Sequence, residues 1–246
     1  MKDHVVLLAD KRSADVLVGL VRETNPSAQV DVVQSHDDLS RASEKLGARS
    51  LLLSYGTGII VSRAMLERFQ GSAINFHGAS PNYPGRDPHH FASYDGVRRY
   101  GATAHVMEPK VDAGRIIGVE DVGVADNVYP SELLRVANEA AVRLMKRLIP
   151  LLVREEPLPP LDIAWGPRKT TRRDFLELCN IPAYVGMEEL ERRLRATDAE
   201  DYRNLCVDLY GRRFRFEGPS IADGNSASSA SAMSSFITSS VMMFLE

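Results

Sequence analysis

Residues 74–91 read INFHGASPNYPGRDPHHF, and Asn75 and His77 stand two apart at the end of a short apolar run. Three chemistries are open to residues of these types. The imidazoles of His77, His89, His90 and His105, with Asp87 or Asp112, could ligate a metal; a loop rich in glycine and proline could cradle a phosphate; an amide and an imidazole at a strand end could act on a carbonyl. The neighbours His89 and His90 point in different directions in either regular structure, so both rarely reach one ion. Neither an HExxH pattern nor a close cysteine pair accompanies them, and no metal is expected. YGTG (55–58) has two glycines but belongs to neither a GxGxxG nor a Walker sequence. In the third reading, Asn75 and His77 alternate on a strand and share a face. An asparagine N–H can donate to an oxygen that gains negative charge, and a histidine can move a proton near neutral pH. Asp112, within VDAGRII, precedes another strand and could orient the histidine or accept a proton. Polar groups that merely satisfy one another at strand ends remain a rival account of this trio.

Positioning such groups requires a scaffold, and the apolar pattern supplies one. VVLLA (5–9), QVDVVQ (29–34), SLLLSY (50–55) and SAINFH (72–77) read as strands. Helical patterns run from Ser13 to Glu23, Asp37 to Leu46 and Val61 to Phe69 between them. This alternation points to an α/β fold, a Rossmann-like, mostly parallel sheet with helices on both faces. Sites in such sheets lie in loops beyond the carboxyl ends of strands, where Asn75 and His77 fall. PHHFASYD (88–95) reads as a short helix, GATAHVM (101–107) as a strand, GRIIGVEDVGV (114–124) as a strand or hairpin, and Pro130 to Val153 as the longest helix. The proline-rich EEPLPPLD (155–162) closes a catalytic domain of residues 1–154. Residues 155–220 read as a small C-terminal helical and hairpin lobe packed on it, with helices at Arg172–Leu178 and Met187–Leu194 and a hairpin centred on Tyr210-Gly211. The serine-rich residues 221–246 read as a disordered tail, of which only SSVMMFLE could dock as a short element.

Composition narrows the function classes. With 30 Lys and Arg against 33 Asp and Glu the formal charge is −3, and a polyanionic partner such as nucleic acid is not expected. Cys179 and Cys206 make neither a disulfide framework nor a zinc set. No apolar run approaches a membrane span or a signal peptide, so a cytoplasmic setting away from membranes is the expectation.

The chain resembles the folate-dependent formyltransferases. The resemblance rests on Asn75-Phe76-His77, the loop Ser80-Pro81-Asn82-Tyr83-Pro84-Gly85, Asp112 in VDAGRII, the strand GATAHVM and the strand LLLSYG (51–56). It implies N10-formyltetrahydrofolate as cosubstrate, a primary amine as acceptor, and no metal. It implies Asn75 as donor to the oxyanion, protonated His77 as an aid to it, and Asp112 as the group that holds His77 and helps move the ammonium proton, directly or through water. His105, on the neighbouring strand, is read as lying near this group or as a buried, hydrogen-bonded histidine. It places the pterin against the backbone near Tyr55, Gly56 and Ile60 and in the loop from Val111 to Gly114. Lys11, Arg12 and Ser13, where the family has a glycine-bearing turn, become candidates for an acceptor phosphate. His89 and His90 depart from the common loop and are read as helix-capping groups or acceptor contacts. Asn75 is reached early for the family, which implies a missing or compressed strand–helix unit.

The short tail, KTTRRDF with LERRLRAT and VDLYGRRFRF, resembles that of sugar N-formyltransferases, which formylate a nucleotide-linked amino sugar and often form dimers. The implied partner is therefore a small-molecule nucleotide sugar, and the implied assembly a homodimer. Arg172 and Arg173, with Lys169 and Arg195, become candidates for its pyrophosphate. Formylation of another small amine (amino acid, peptide or ribonucleotide) and hydrolysis of formyltetrahydrofolate are the competing activities, and a silent binding protein a further one.

Overall fold

A computed structural model describes residues 1–198 and 203–216, the side chain of Arg12 excepted; the serine-rich tail lies outside the described residues. The strands are β1 (His4–Ala9), β2 (Gln29–Val33), β3 (Ser50–Tyr55), β4 (Ala73–His77), β5 (Arg99–Val106) and β6 (Ile116–Gly123). They form one six-stranded sheet in the order β2-β1-β3-β4-β5-β6. The first four are parallel, joined through α1 (Lys11–Thr24), α2 (His36–Ser43) and α3 (Arg63–Arg68). β5 and β6 then run antiparallel. Only the short α4 (Pro88–Asp95) stands between β4 and β5, and only a loop between β5 and β6. The interval before Asn75 holds three complete strand–helix units, in which α2 and α3 have 8 and 6 residues.

β1 shows why the sheet must be covered twice. Val5, Leu7 and Ala9 pack on one face with Leu17 and Val21 of α1 and Leu144, Met145 and Leu148 of α5 (Pro130–Arg154). Val6 and Leu8 pack on the other with Leu39, Leu66 and Phe69. Every residue of β1 is buried, so its continuous apolar run carries no alternation. α2 and α3 begin where Ser35 and Ser62 accept the N–H groups of Asp38 and Met65.

Beyond α5 come α6 (Arg172–Cys179) and α7 (Met187–Thr197), which pack on α4 through Phe91, Phe175, Leu178 and Ala196. β7 (Cys206–Leu209) and β8 (Arg212–Arg215) pair across Tyr210 and Gly211, both with positive φ, the backbone that a two-residue hairpin turn demands.

Candidate active site

β4 carries Asn75 and His77 to its carboxyl end on one face, and β5 lies antiparallel beside it with His105 opposite Asn75 and Thr103 opposite His77. The register thus adds a third polar side chain. The Asn75 amide nitrogen lies 3.1 Å from His105 Nε2. His105 Nδ1–H donates to Val106 O at 2.9 Å, and its Nε2 faces the Asn75 amide.

Asp112 enters from the β5–β6 loop. Its φ of 44° lies in the left-handed region, which aspartate tolerates better than most residues. Its carboxylate is buried between two imidazoles, with Oδ1 3.4 Å from His105 Nε2 and Oδ2 3.7 Å from His77 Nδ1. The Gly85 N–H donates to Oδ2 at 2.9 Å. Burial acts to raise the carboxyl, but the His105 hydrogen bond, the His77 ring and the Gly85 N–H outweigh it and hold the group at about 2. Asp112 is therefore ionised at neutral pH.

His77 behaves oppositely. Burial pulls its imidazole below the usual histidine range, and the neighbouring Asp112 only partly offsets this. Its Nε2–H donates to Tyr83 O at 3.0 Å, leaving the Nδ1 lone pair on the carboxylate side. In its neutral form the ring can accept a proton at Nδ1. Burial thus weighs against the protonated His77 expected to aid the oxyanion, and Asp112 weighs for it.

The other expected residues divide. Gly56 lies in an open cavity of about 490 Å³ beyond the carboxyl ends of β1 and β3, with Asp10, Lys11, Gln34, Thr57 and Ile59. Lys11 is exposed there, but Asp10 accepts from both the N–H and the hydroxyl of Ser13 at 3.0 Å. A carboxylate already occupies the start of α1, which weighs against a phosphate at Ser13. The Arg12 side chain lies outside what is described. Tyr55 turns its hydroxyl to Asn138 on α5 at 2.6 Å, so only its backbone faces the turn. Ile60 is 58% exposed.

In the second cofactor loop, the Val111 carbonyl is taken by Lys169 and the Gly114 carbonyl by Trp165, at 2.8 Å for the latter. Each carbonyl thus has one partner within the chain, and the Val111 side chain is exposed. Glycine at 114 is required by space: a Cβ there would lie 1.9 Å from Val106 O.

His89 and His90 diverge as their adjacency demands. His89 Nδ1 meets Tyr100 Oη at 3.0 Å, whereas His90 Nδ1 meets Ala196 O on α7 and its ring packs edge-on to Phe175. Among the described residues no group of three or more His, Cys, Asp or Glu is arranged to hold a metal. Arg172 lies over the Phe175 ring, Arg173 pairs with Glu177, and Arg195 donates to Ser93 O. These arginines are engaged in the small lobe and are not brought into the contacts of Asn75, His77 and Asp112.

Two residues of the site were legible in different degrees. His105 is expected near Asn75 and His77 from the neighbouring strand, but its pairing with Asn75 depends on register. Trp165 stands just past the proline-rich connection, where nothing periodic marks it. Its ring meets His77 and His105 edge-on, with centroids 5.8 and 5.0 Å away.

The buried histidines set an acid limit on stability. Burial holds His77, His89 and His90 below the ordinary imidazole value, His89 at about 3. The unfolded chain takes up protons at these positions from about pH 6.5 downward, the folded chain only at lower pH. Their contribution is therefore complete above the unfolded value and is lost as the pH falls through it toward the folded values. Thermal melts from about pH 8 to pH 4.5 should show the midpoint falling below about pH 6.5, less steeply in His89→Gln. An equal slope for the two proteins would remove His89 from the account.

The comparisons bear on this geometry directly. A methionyl-tRNA formyltransferase of Syntrophomonas wolfei is 28% identical over 198 residues, 76% of this chain and 61% of that protein. The chain spans 34% to 61% of the length of the first curated relatives it matches. A sugar N-formyltransferase from Shewanella sp. FDAARGOS_354 superposes with a TM-score of 0.70 at 19% identity, covering 87% of this chain and 96% of that one. An N-formyltransferase from Helicobacter canadensis, solved with folinic acid and dTDP-3-aminofucose, gives 0.61 at 17% identity and covers 80% of each chain. At these identities the two structures establish the fold alone. The family profile described as formyl transferase matches residues 8–149, more than half of the chain and all of the strand ends and loops that carry Asn75, His77, His105 and Asp112. On that match, the chain belongs to the formyl transferase family.

Proposed function

We propose that the protein transfers a formyl group from N10-formyltetrahydrofolate to the amino group of a nucleotide-linked amino sugar. The observation that carries the chemistry is the convergence of an amide, an imidazole and an ionised carboxylate within one small cluster. In this reading the acceptor amine attacks the formyl carbon and a new C–N bond forms. The Asn75 N–H that is not turned to His105 donates to the oxygen as it becomes negative. The ammonium proton passes to His77 Nδ1, and the ionised Asp112 stabilises the resulting imidazolium. Collapse breaks the bond to N10, which leaves with a proton as tetrahydrofolate. The pterin is read against the turn at Gly56–Ile60 and the exposed side chain of Val111.

The amino-sugar acceptor is supported by architecture: the Shewanella sugar N-formyltransferase is covered almost whole by this chain, small lobe included. The curated relatives named for methionyl-tRNA favour a second reading, in which the amine belongs to methionyl-tRNA.

An acceptor screen decides. The protein is supplied with N10-formyltetrahydrofolate and, in separate reactions, aminosugar nucleotides, amino acids, glycinamide ribonucleotide and methionyl-tRNA. Tetrahydrofolate release that depends on the aminosugar nucleotide, with one formyl group gained by it, is the expected result. Formylation of methionyl-tRNA alone would replace the acceptor but keep the chemistry. Release without any amine would make the protein a hydrolase, and no release with any acceptor would end the formyl-transfer reading.

A further inference from the structure

Residues 165–170 have no helix and cross the candidate site, bound at several points. The Gly166 N–H donates to Pro81 O at 2.9 Å, the Thr170 N–H to Pro84 O at 3.0 Å, and the Arg86 N–H to Thr170 O at 3.0 Å. The approach is as close as backbone allows. A Cβ at Gly85 would lie 2.2 Å from Thr170 O, and one at Gly166 would lie 2.6 Å from Asn82 O. The same segment reaches the other loop, where Lys169 Nζ–H donates to Val111 O and Trp165 Nε1–H to Gly114 O.

The two loops so joined are those that build the cluster. Loop 80–86 supplies Tyr83 O to His77 and the Gly85 N–H to Asp112. Loop 107–115 supplies Asp112, whose left-handed backbone is bracketed by the two carbonyls that Lys169 and Trp165 hold. The Trp165 ring also closes over the edges of His77 and His105. We propose that residues 165–170 are a strap that fixes the relative placement of His77 and Asp112, with Trp165 as its positioning residue. This rests on the formyl-transfer reading above. Trp165 acts through Gly114 and the imidazoles, by setting how near the carboxylate stands to the ring that takes the proton.

Misplacing a catalytic group by about 1 Å from outside the chemistry can cost about 10²-fold. Trp165→Ala loses both the N–H bond and the ring wall, and a drop in kcat of about 10- to 100-fold is expected, with KM for the formyl donor moved far less. Trp165→Phe keeps a ring edge but no N–H and should fall in between. Both should move the acid limb of the pH–rate profile, which a merely structural prop would leave in place. The groups that face the indole and its imidazoles are Asp112, Lys169 and, beside His77, His89.

The chain contains a single tryptophan, so its emission reports the strap without any turnover. A docked indole should be shielded from acrylamide and quenched as the adjacent imidazoles gain protons, with the quenching reduced in His77→Gln. Parental kcat and pH profile in a folded Trp165→Ala protein would overturn the positioning role. If that variant does not fold, the same result in Trp165→Phe overturns it. Should the parent transfer no formyl group, the formyl-transfer reading fails by itself. The strap is then judged on emission: a shielded, His77-dependent signal supports it, and an open, pH-independent one sinks it.

Discussion

Asn75→Ala is expected to lower formyl transfer by about 10²–10³-fold while the fold persists, the loss seen when one preorganised oxyanion donor is removed. The two consequences of this substitution differ in size for a physical reason. In the resting protein the half-buried amide makes a hydrogen bond to His105, and such a bond contributes about 1 kcal/mol net. During transfer its other N–H meets an oxygen that has gained charge in a water-poor site, where the same contact is worth about 3–4 kcal/mol. Activity should therefore collapse while the melting temperature moves by only a few degrees. Asn75→Asp is the sharper control, because it places a like charge beside the developing oxyanion and should be no better than alanine. Full turnover in Asn75→Ala would take the oxyanion role away from this residue.

The second large effect is expected from Asp112→Asn, with turnover reduced on the order of 10³-fold. Asparagine tolerates the left-handed backbone found at 112 and offers an oxygen to the Gly85 N–H, so the loop should keep its shape. What disappears is the charge that favours a proton on His77. Burial already depresses that imidazole, and Asp112 is the main opposing influence. Its loss lowers the histidine further, and the acid limb of the pH–rate profile should shift to lower pH as the maximal rate falls. Stability should change in another window. A carboxyl held at about 2 contributes above its ordinary value near 3.8 and loses that contribution as the pH falls toward 2. Parental turnover with an unmoved acid limb in Asp112→Asn would show that the carboxylate takes no part in proton transfer.

The legibility of this molecule follows its physics. β1 and α5 could be read because burial imposes continuous apolar runs and a helical period, respectively, and the hairpin at Tyr210-Gly211 because few residues accept its turn. Helix ends were less visible. α1 starts at Lys11 ahead of the expected Ser13, because Asp10 caps it, and α2 ends at Ser43, short of Leu46. Asn75 and His77 share a face by alternation alone, so their neighbourhood was legible before the fold was known. The partnership of Asn75 with His105 was not, because it depends on β5 running antiparallel in one register. Histidine count suggested an importance for His89 and His90 that their packing against Tyr100 and α7 explains more simply. Trp165 lay deepest in shadow: the stretch after the proline-rich connection has no period, and nothing local says that it turns back across two distant loops.

That return path has a consequence for the order in which the protein is made. The sheet, both loops and all of α5 leave a ribosome ahead of Trp165, which lies 51 residues after the carbonyl that the indole holds. The core can condense co-translationally, as domains generally do. If the proposed strap holds, the site stays unlatched until the last stretch before α6 has emerged and threaded back over it. Synthesis would then deliver a folded scaffold first and a competent one later, with residues 165–170 as the clasp between the two stages.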